Sequence, residues 1–226
     1  MDVLRIYKKL LTHFGEQGWW PIFNQKAGRC QYSSAYRIYD GRRRFCMSKK
    51  HAFEVCVGAI LKQNTAWKNV EKALANLSQA ARGKLDAQFV LSCGNLEELI
   101  LPAGYYNQKA KKLRIFSDRR MNNRHLQKIS PTALRLQLTA LWGIGPETAD
   151  SMLIYAFGKL VFVVDAYTRR LCKECGVAFE TYDEYREFFE AQLPKSVKLF
   201  NEYQALIVAW GKLYSKDKPL ALKVIK

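Results

Sequence analysis

Two glycines, Gly143 and Gly145, followed at once by Pro146, constrain the fold of this chain more than any other feature. Apolar residues recur at helical spacing on both sides, over residues 131–141 and 146–157. The glycines let the backbone turn tightly between the two helices and leave the first N–H groups of the second helix open. A helix start with open donors suits a phosphate group. The pattern therefore predicts a hairpin between two helices that grips a phosphate.

One carboxylate, Asp165, stands shortly after this hairpin. It follows the apolar run 160–164 and precedes Arg169 and Arg170. An Asp in such a place usually caps the helix that begins after it. A carboxylate beside a phosphate-binding hairpin is also suited to act as a general base or to stabilise an oxocarbenium-like sugar. The two interpretations are compatible, and the residues themselves leave both open.

Helical spacing of apolar residues extends over most of the chain. Ser130 followed by Pro131 is a helix-start signal, and Thr65 is placed to cap a helix. Only residues 160–164 resemble a strand, and they are few enough to form a buried connector. Residues 25–50 are polar and basic and predict a long surface loop. The fold class is therefore all-α, with helices expected over residues 3–11, 52–77 with a break at 63–65, 96–101, 107–121, 131–141, 146–157, 166–175, 182–189 and 202–214.

The charge of the chain points to a polyanionic partner. The 226 residues contain 37 Lys and Arg against 20 Asp and Glu, which gives a formal net charge of +17. The basic residues are spread over the chain, which favours nucleic acid over an anionic membrane surface. No signal peptide and no apolar stretch of membrane-spanning length is visible. We therefore expect a cytosolic protein associated with DNA, in a bacterium or archaeon.

The six cysteines are scattered, as expected of reduced thiols in a cytosol. Cys172 and Cys175 form the one close pair, and a structural metal would need two further ligands. Cys30 and Cys46 could complete such a site only by a chance of folding. Packing is therefore the expected role of these cysteines, and we predict no metal site.

Several segments together resemble the helix-hairpin-helix DNA glycosylases, the superfamily that includes endonuclease III. Gly143, Gly145, Thr148, Ala149 and Asp165 match its signature, and residues 60–65 and 104–110 are similar to segments of the endonuclease III branch. The resemblance covers roughly residues 53–214. It implies an all-α fold of two lobes, 1–50 with 160–226 and 51–159, and a monomeric protein. It also implies that the hairpin grips double-stranded DNA and that a damaged base is flipped into a cleft between the lobes.

The sequence departs from the endonuclease III pattern at two positions. Members with lyase activity carry a lysine two residues after the second glycine, where this chain has Glu147. A carboxylate cannot form a Schiff base, so the resemblance implies a monofunctional glycosylase in which Asp165 assists water. Lys159 or Lys212 is the less favoured alternative as an amine nucleophile. Ser215 stands where those relatives have the first iron–sulfur cysteine, so the cluster is predicted to be absent and no cofactor is expected.

Most of the remaining site residues follow from the resemblance, and two follow from helical spacing. Gln63 matches a residue that fills the gap left by a flipped nucleotide, and Tyr105 matches a wedge residue. Lys111 and Arg114, three apart on one predicted helix, are candidates for phosphate contact. A base pocket is expected from the similarity to cluster-free 3-methyladenine DNA glycosylases, whose aromatic rings attract a cationic purine. Its members here would be Trp19, Trp20, Trp67 and Glu147.

Three functions therefore remain in competition at this point. The leading one is hydrolytic removal of alkylated purines such as 3-methyladenine in base excision repair. A mismatch uracil or thymine glycosylase, or an oxidised-base glycosylase similar to endonuclease III, is the second. The third is a catalytically silent DNA-binding protein, which the presence of Asp165 disfavours.

Overall fold

The computed structural model describes residues 1–31, 48–119, 126 and 128–226, and most of them are helical. They form two compact units. The central unit is residues 20–158, and the terminal unit combines residues 1–19 with 159–226. Residues 20–31 thus belong to the central unit, although the predicted boundary put them with the chain ends. Within the basic segment 25–50, three consecutive arginines at 42–44 and Cys46 lie outside the described residues.

Helix α2 forms the middle of the central unit. Every residue from Ala52 to Leu61 is buried, because the helix is apolar on nearly all sides and other helices pack around it. Its neighbours include α3, α6 and the helix that follows the hairpin. The helices of this unit are α2 (Lys49–Lys62), α3 (Trp67–Ala80), α4 (Ala87–Ser92), α5 (Leu96–Leu99), α6 (Tyr106–Asp118), α7 (Pro131–Thr139) and α8 (Pro146–Ser151).

The ends of these helices agree in part with the predicted caps. The Ser130 hydroxyl accepts the Ala133 amide at 3.2 Å, as its position before Pro131 predicts. The Thr65 prediction is wrong, because α3 begins one residue later and its N-cap is Ala66. The Thr65 hydroxyl instead accepts the Asn69 side-chain amide at 3.2 Å. Helix α4 was not predicted, since six residues are too few for helical periodicity to show.

A small antiparallel hairpin replaces the start of the predicted loop 25–50. Its strands are β1 (Ile22–Asn24) and β2 (Arg29–Gln31), with Phe23 opposite Cys30. Carboxylates of the neighbouring helices hold both strands, because Glu54 accepts the Phe23 amide at 2.6 Å and Glu71 accepts the Cys30 amide. Strands of three residues are too short for an alternating pattern to be recognised.

The terminal unit is built around α11, the longest described helix, which packs against α1, α9 and α12. Residues 160–164 form no strand; Val161 to Val164 are a buried connector, with the Phe162 amide bound to Glu190 at 2.8 Å. None of the described helices is both long and apolar enough to cross a membrane. The helices of this unit are α1 (Val3–Phe14), α9 (Ala166–Glu174), α10 (Tyr182–Gln192), α11 (Val197–Lys216) and the unpredicted α12 (Lys218–Ile225).

Candidate functional site

The glycine turn joins α7 to α8 as the sequence predicts. Gly143 adopts φ +78°, in the left-handed region where a side chain is strained, and a Cβ there would lie 2.3 Å from Cε of Lys112. Gly145 is the N-cap of α8, and no side chain caps the first amides of that helix. Gly143 and Gly145 are exposed, while Leu141 and Ile144 anchor the turn in the core. The turn therefore presents backbone to solvent on a fixed base.

Gln63 lies against this turn. Its side-chain amide donates to the Gly143 carbonyl at 3.1 Å and to the Thr148 hydroxyl at 2.9 Å. Its side-chain carbonyl accepts the ammonium of Lys112 at 2.6 Å. The structure thus brings together three predicted DNA-binding residues, Gln63, Gly143 and Thr148. It adds Lys112, which sequence reasoning missed because the contact depends on a residue 49 positions away.

Lys111 and Arg114 have different surroundings although they share α6. The Lys111 ammonium lies 4.5 Å from the ring centroid of Trp142, which is 46 % exposed beside the glycine turn. Arg114 forms a two-pronged salt bridge with Glu97 and also donates to the Cys93 carbonyl at 3.4 Å. The salt bridge offsets the charge of Arg114, so Lys111 is the better placed of the two for a phosphate.

Tyr105 is 70 % exposed at the start of α6 and has φ +47°, an uncommon backbone conformation for a bulky residue. Lys109, in the first turn of that helix, is 1 % exposed. Its ammonium donates to the carbonyls of Leu61 and Ala103, both at 2.8 Å. Burial, with smaller effects of Lys112 and Lys62, lowers the pKa of Lys109 to about 8. Lys109 therefore ties the turn that precedes Tyr105 to the end of α2, two residues before Gln63.

Two of the predicted pocket residues meet in the central unit. Trp20 is 5 % exposed and packs edge-to-face against the half-buried Trp67, with ring centroids 5.3 Å apart. Tyr155, which was not predicted, also packs against Trp20, with ring centroids 5.0 Å apart. A Cβ at Gly58 would lie 3.3 Å from the indole nitrogen of Trp20, so the absence of a side chain there makes room for the ring.

The other two predicted pocket residues are elsewhere. Trp19 is half-buried and belongs to the terminal unit. Glu147 is exposed in the first turn of α8, directly after the glycine turn. The helix continues into a π-helical segment, Met152–Ala156, that carries Tyr155. Segments of π-helix are frequent at functional sites.

Asp165 lies in the terminal unit, at the end of the buried connector and at the N-cap of α9. Its Oδ1 accepts the Thr168 amide at 2.8 Å and lies 3.0 Å from the Thr168 hydroxyl. That hydroxyl is also 3.3 Å from the side-chain carbonyl of Gln204, a buried residue of α11. The capping interpretation of Asp165 is therefore confirmed, and the carboxylate is held in one orientation at a helix N-terminus, where negative charge is stabilised.

The cysteines show no metal-binding arrangement within the described part of the chain. Cys172 is buried and Cys175 half-buried, and no group of three or more His, Cys, Asp or Glu residues is placed to hold an ion there. Ser215 donates to the Gly211 carbonyl at 3.0 Å inside α11. The absence of an iron–sulfur cluster stays a prediction from the sequence.

Comparison with protein families decides the class of the molecule. Residues 57–195, which include the glycine turn and Asp165, match the profile of the HhH-GPD superfamily of base excision DNA repair proteins. The chain belongs to this superfamily. The predicted all-α glycosylase fold is thereby confirmed.

Individual HhH-GPD relatives extend the match over nearly the whole chain. A protein of Methanocaldococcus jannaschii, named as a candidate DNA repair glycosylase, is 38 % identical over 96 % of this chain and 90 % of its own length. Endonuclease III of Sulfolobus acidocaldarius is 26 % identical over 80 % of this chain and 82 % of its own. The crystal structure of H. pylori 3-methyladenine DNA glycosylase bound to 1,N6-ethenoadenine is similar with a TM-score of 0.68. The two chains are 27 % identical, and the similarity covers 96 % of this chain and 99 % of the H. pylori chain.

Proposed function

We propose that this DNA glycosylase of the HhH-GPD superfamily is monofunctional. It hydrolyses the bond between a damaged base and its deoxyribose in double-stranded DNA and leaves the abasic strand uncut. Its substrates are alkylated purines such as 3-methyladenine, and it acts as a monomer. The observation that carries the proposal is that Glu147, in the first turn of α8, stands at the position where lyase-active relatives carry lysine, while Asp165 is an oriented carboxylate.

Asp165 is the proposed catalytic carboxylate. Water attacks C1′ of the deoxyribose, and the base departs with the electron pair of the glycosidic bond. The carboxylate either accepts the proton of the water or stabilises the positive charge that develops on the sugar. The Thr168 amide and hydroxyl hold its Oδ1, and Gln204 lies against that hydroxyl. Those contacts limit the movement of the carboxylate during the reaction.

The glycine turn is the proposed phosphate grip. Pro146 has no N–H, so the open donors at the start of α8 are the amides that follow it, beside the exposed Gly145, and a helix N-terminus attracts an anion. Gln63 and Lys112 brace the turn through the Gly143 carbonyl and the Thr148 hydroxyl. In this role Lys111 adds a cation beside Trp142, next to the turn. These contacts position DNA without reading its sequence.

The proposed preference for alkylated purines rests on the aromatic residues. An alkylated purine carries a positive charge, which electron-rich rings attract, and its glycosidic bond breaks without strong acid assistance. Trp67 is half-buried, whereas Trp20 is buried against Gly58, so we assign base contact to Trp67 and support of that ring to Trp20. The similarity to a 3-methyladenine DNA glycosylase over 96 % of the chain supports this substrate class.

Base release from a panel of DNA duplexes tests the proposal. The panel holds methylated purines, uracil and thymine opposite guanine, and an oxidised pyrimidine. Each product is analysed with and without hot alkali, and a parallel reaction contains sodium borohydride to trap any imine. We expect release of 3-methyladenine, strand breaks only after alkali, and no trapped covalent complex.

The other results would contradict separate parts of the proposal. Strand breaks without alkali, together with a borohydride-trapped complex, would reveal an amine nucleophile and overturn the role inferred from Glu147. Release of uracil or thymine in place of 3-methyladenine would overturn the substrate class and leave the hydrolytic chemistry intact. Binding of every duplex without release of any base would mean a silent DNA-binding protein.

A further inference from the structure

A groove in the terminal unit lies between α1 and α12. Its volume is about 580 Å³, and its lining is mostly cationic. It belongs to the terminal unit, whereas the glycine turn belongs to the central unit. We call it the cationic groove; its lining residues are Arg5, Lys8, Lys9, Thr12, His13, Lys223 and Val224.

Packing of the two helices produces this lining. Helix α1 buries Val3, Ile6 and Leu10, which turns its basic residues away from the core. Helix α12 buries Ala221 and Ile225, and this places Lys223 on the opposite wall of the groove. The Lys9 ammonium joins the helices by donating to the Ile225 carbonyl at 3.4 Å. The spacing of apolar residues in both helices therefore places Lys223 of α12 on the same surface as the cations of α1.

No carboxylate lines the cationic groove among the residues that the structure describes there. The sequences of α1 and α12 contain no Asp or Glu at all. The two nearest acidic residues in the sequence, Asp2 and Asp217, are N-caps whose Oδ1 atoms accept the amides of Arg5 and Leu220. A surface of one sign of charge attracts a polyanion.

We propose that the cationic groove binds phosphates of the DNA backbone, as a second contact separate from the glycine turn. The proposal goes beyond base removal, since it concerns undamaged DNA as much as a lesion. The side chains of Arg5, Lys8 and Lys223 are exposed and reach the groove from two helices. Phosphate contacts of this kind carry no sequence information and make affinity depend on salt.

Neutralising the groove tests this contact. The triple variant Arg5→Gln, Lys8→Gln and Lys223→Gln removes three charges from exposed positions, so the fold is retained. The matched control, Lys173→Gln, Lys195→Gln and Lys198→Gln, removes three charges from exposed positions elsewhere in the same unit. The dissociation constant for an undamaged 40-base-pair duplex is measured between 50 and 200 mM salt for both variants and the wild type.

We expect the slope of log K against log salt to be less steep for the groove variant by about 2.7, which is about 0.9 for each lost phosphate contact. Over this fourfold salt range, the factor by which its affinity falls would then be roughly 40 times smaller than the factor for the wild type. The control should keep most of the wild-type slope. Single-turnover base release at saturating enzyme should be unchanged in both variants, which separates this proposal from the catalytic one.

Two results would overturn the proposal. Equal slopes for the groove variant and the control would mean that only net charge matters. The second arm uses inorganic tripolyphosphate as the probe. If the groove variant loses tripolyphosphate binding while its slope on DNA matches the control, the groove takes a free polyphosphate and not the DNA backbone.

Discussion

Asp165 caps a helix, and in the proposed function the same side chain is also the catalytic carboxylate. As the N-cap of α9 it satisfies the Thr168 amide, and the same bond fixes the direction of its carboxylate. A capping side chain must lie at the end of a helix, where backbone donors are open. A catalytic carboxylate benefits from the same place, because it is held firmly and partly shielded from water. The half-buried position of Asp165 meets both needs.

The substitution Asp165→Asn separates the two roles. Asparagine caps helices about as well as aspartate, so the melting temperature should stay close to that of the wild type. The amide cannot accept a proton or stabilise a cation as a carboxylate does. We expect the single-turnover rate of base release to fall roughly 10²- to 10⁴-fold while the affinity for abasic DNA is kept.

The variant Asp165→Ala provides the control for this experiment. Alanine removes the cap as well as the charge, so unfolding free energy should also fall, by about 1 kcal/mol. A rate for Asp165→Asn within a factor of three of the wild type would show that the carboxylate takes no part in base removal.

The hairpin is the element in which sequence and geometry agree most closely. Gly143 needs its left-handed backbone, and it also needs space, since a Cβ there would lie 2.3 Å from Cε of Lys112. At Gly145 neither condition holds, because its φ is −84° and a Cβ would meet nothing within 4 Å. The fold therefore requires glycine at position 143, whereas position 145 has room and an ordinary backbone for a side chain.

Alanine substitution at each glycine tests this difference. Gly143→Ala should destabilise the protein by roughly 1–3 kcal/mol and displace Lys112 from Gln63, because the backbone strain and the contact both must be relieved. Gly145→Ala should change the unfolding free energy by less than about 0.5 kcal/mol. Both should weaken DNA binding if the turn grips a phosphate, which is measured on abasic DNA. Equal stability of the two variants would contradict the assignment.

Local sequence patterns predicted which helices are present better than where those helices end or which residues they contact. The turn at Gly143, the cap at Ser130 and the cap at Asp165 depend on neighbouring residues, and the sequence is sufficient for these. The strands β1 and β2 and helix α4 are held by tertiary contacts and are too short for a periodic pattern. The roles of Lys109 and Lys112 depend on partners about 50 residues away, Leu61 and Gln63, and periodicity contains no such information.

At the scale of the whole molecule, each unit contains a carboxyl, buried in one and half-buried in the other, that anchors the chain. Glu54, 6 % exposed on α2, accepts the Phe23 amide of strand β1. Glu202 on α11 accepts the amides of Gln17 and Gly18. Burial raises the pKa of both groups, and that of Glu54 reaches about 7 against an ordinary 4.5. In each case hydrogen bonds to the carboxylate oppose the effect of burial only in part.

The raised pKa of Glu54 makes stability fall as pH rises. Between pH 4.5 and 7 the unfolded chain has lost this proton while the folded protein keeps it, so the slope of unfolding free energy against pH is negative. Above pH 7 the folded protein also loses the proton and contains a buried carboxylate. The stability lost below pH 7 is therefore not regained. We expect this single group to cost roughly 2–3 kcal/mol of stability at pH 8 relative to pH 4.5.

The substitution Glu54→Gln isolates this contribution, because the glutamine carbonyl still accepts the Phe23 amide and bears no charge at any pH. Chemical denaturation at intervals from pH 5 to pH 8 should give a flatter curve for Glu54→Gln, with the variant more stable than the wild type at pH 8. The control Glu98→Gln removes a charge from an exposed position of α5 and should keep the wild-type slope. Parallel curves for wild type and Glu54→Gln would mean that water or a nearby cation solvates the Glu54 carboxylate in the folded protein. In that case the attachment of β1 to α2 would depend only on the hydrogen bond from the Phe23 amide to Glu54 and would not change with pH.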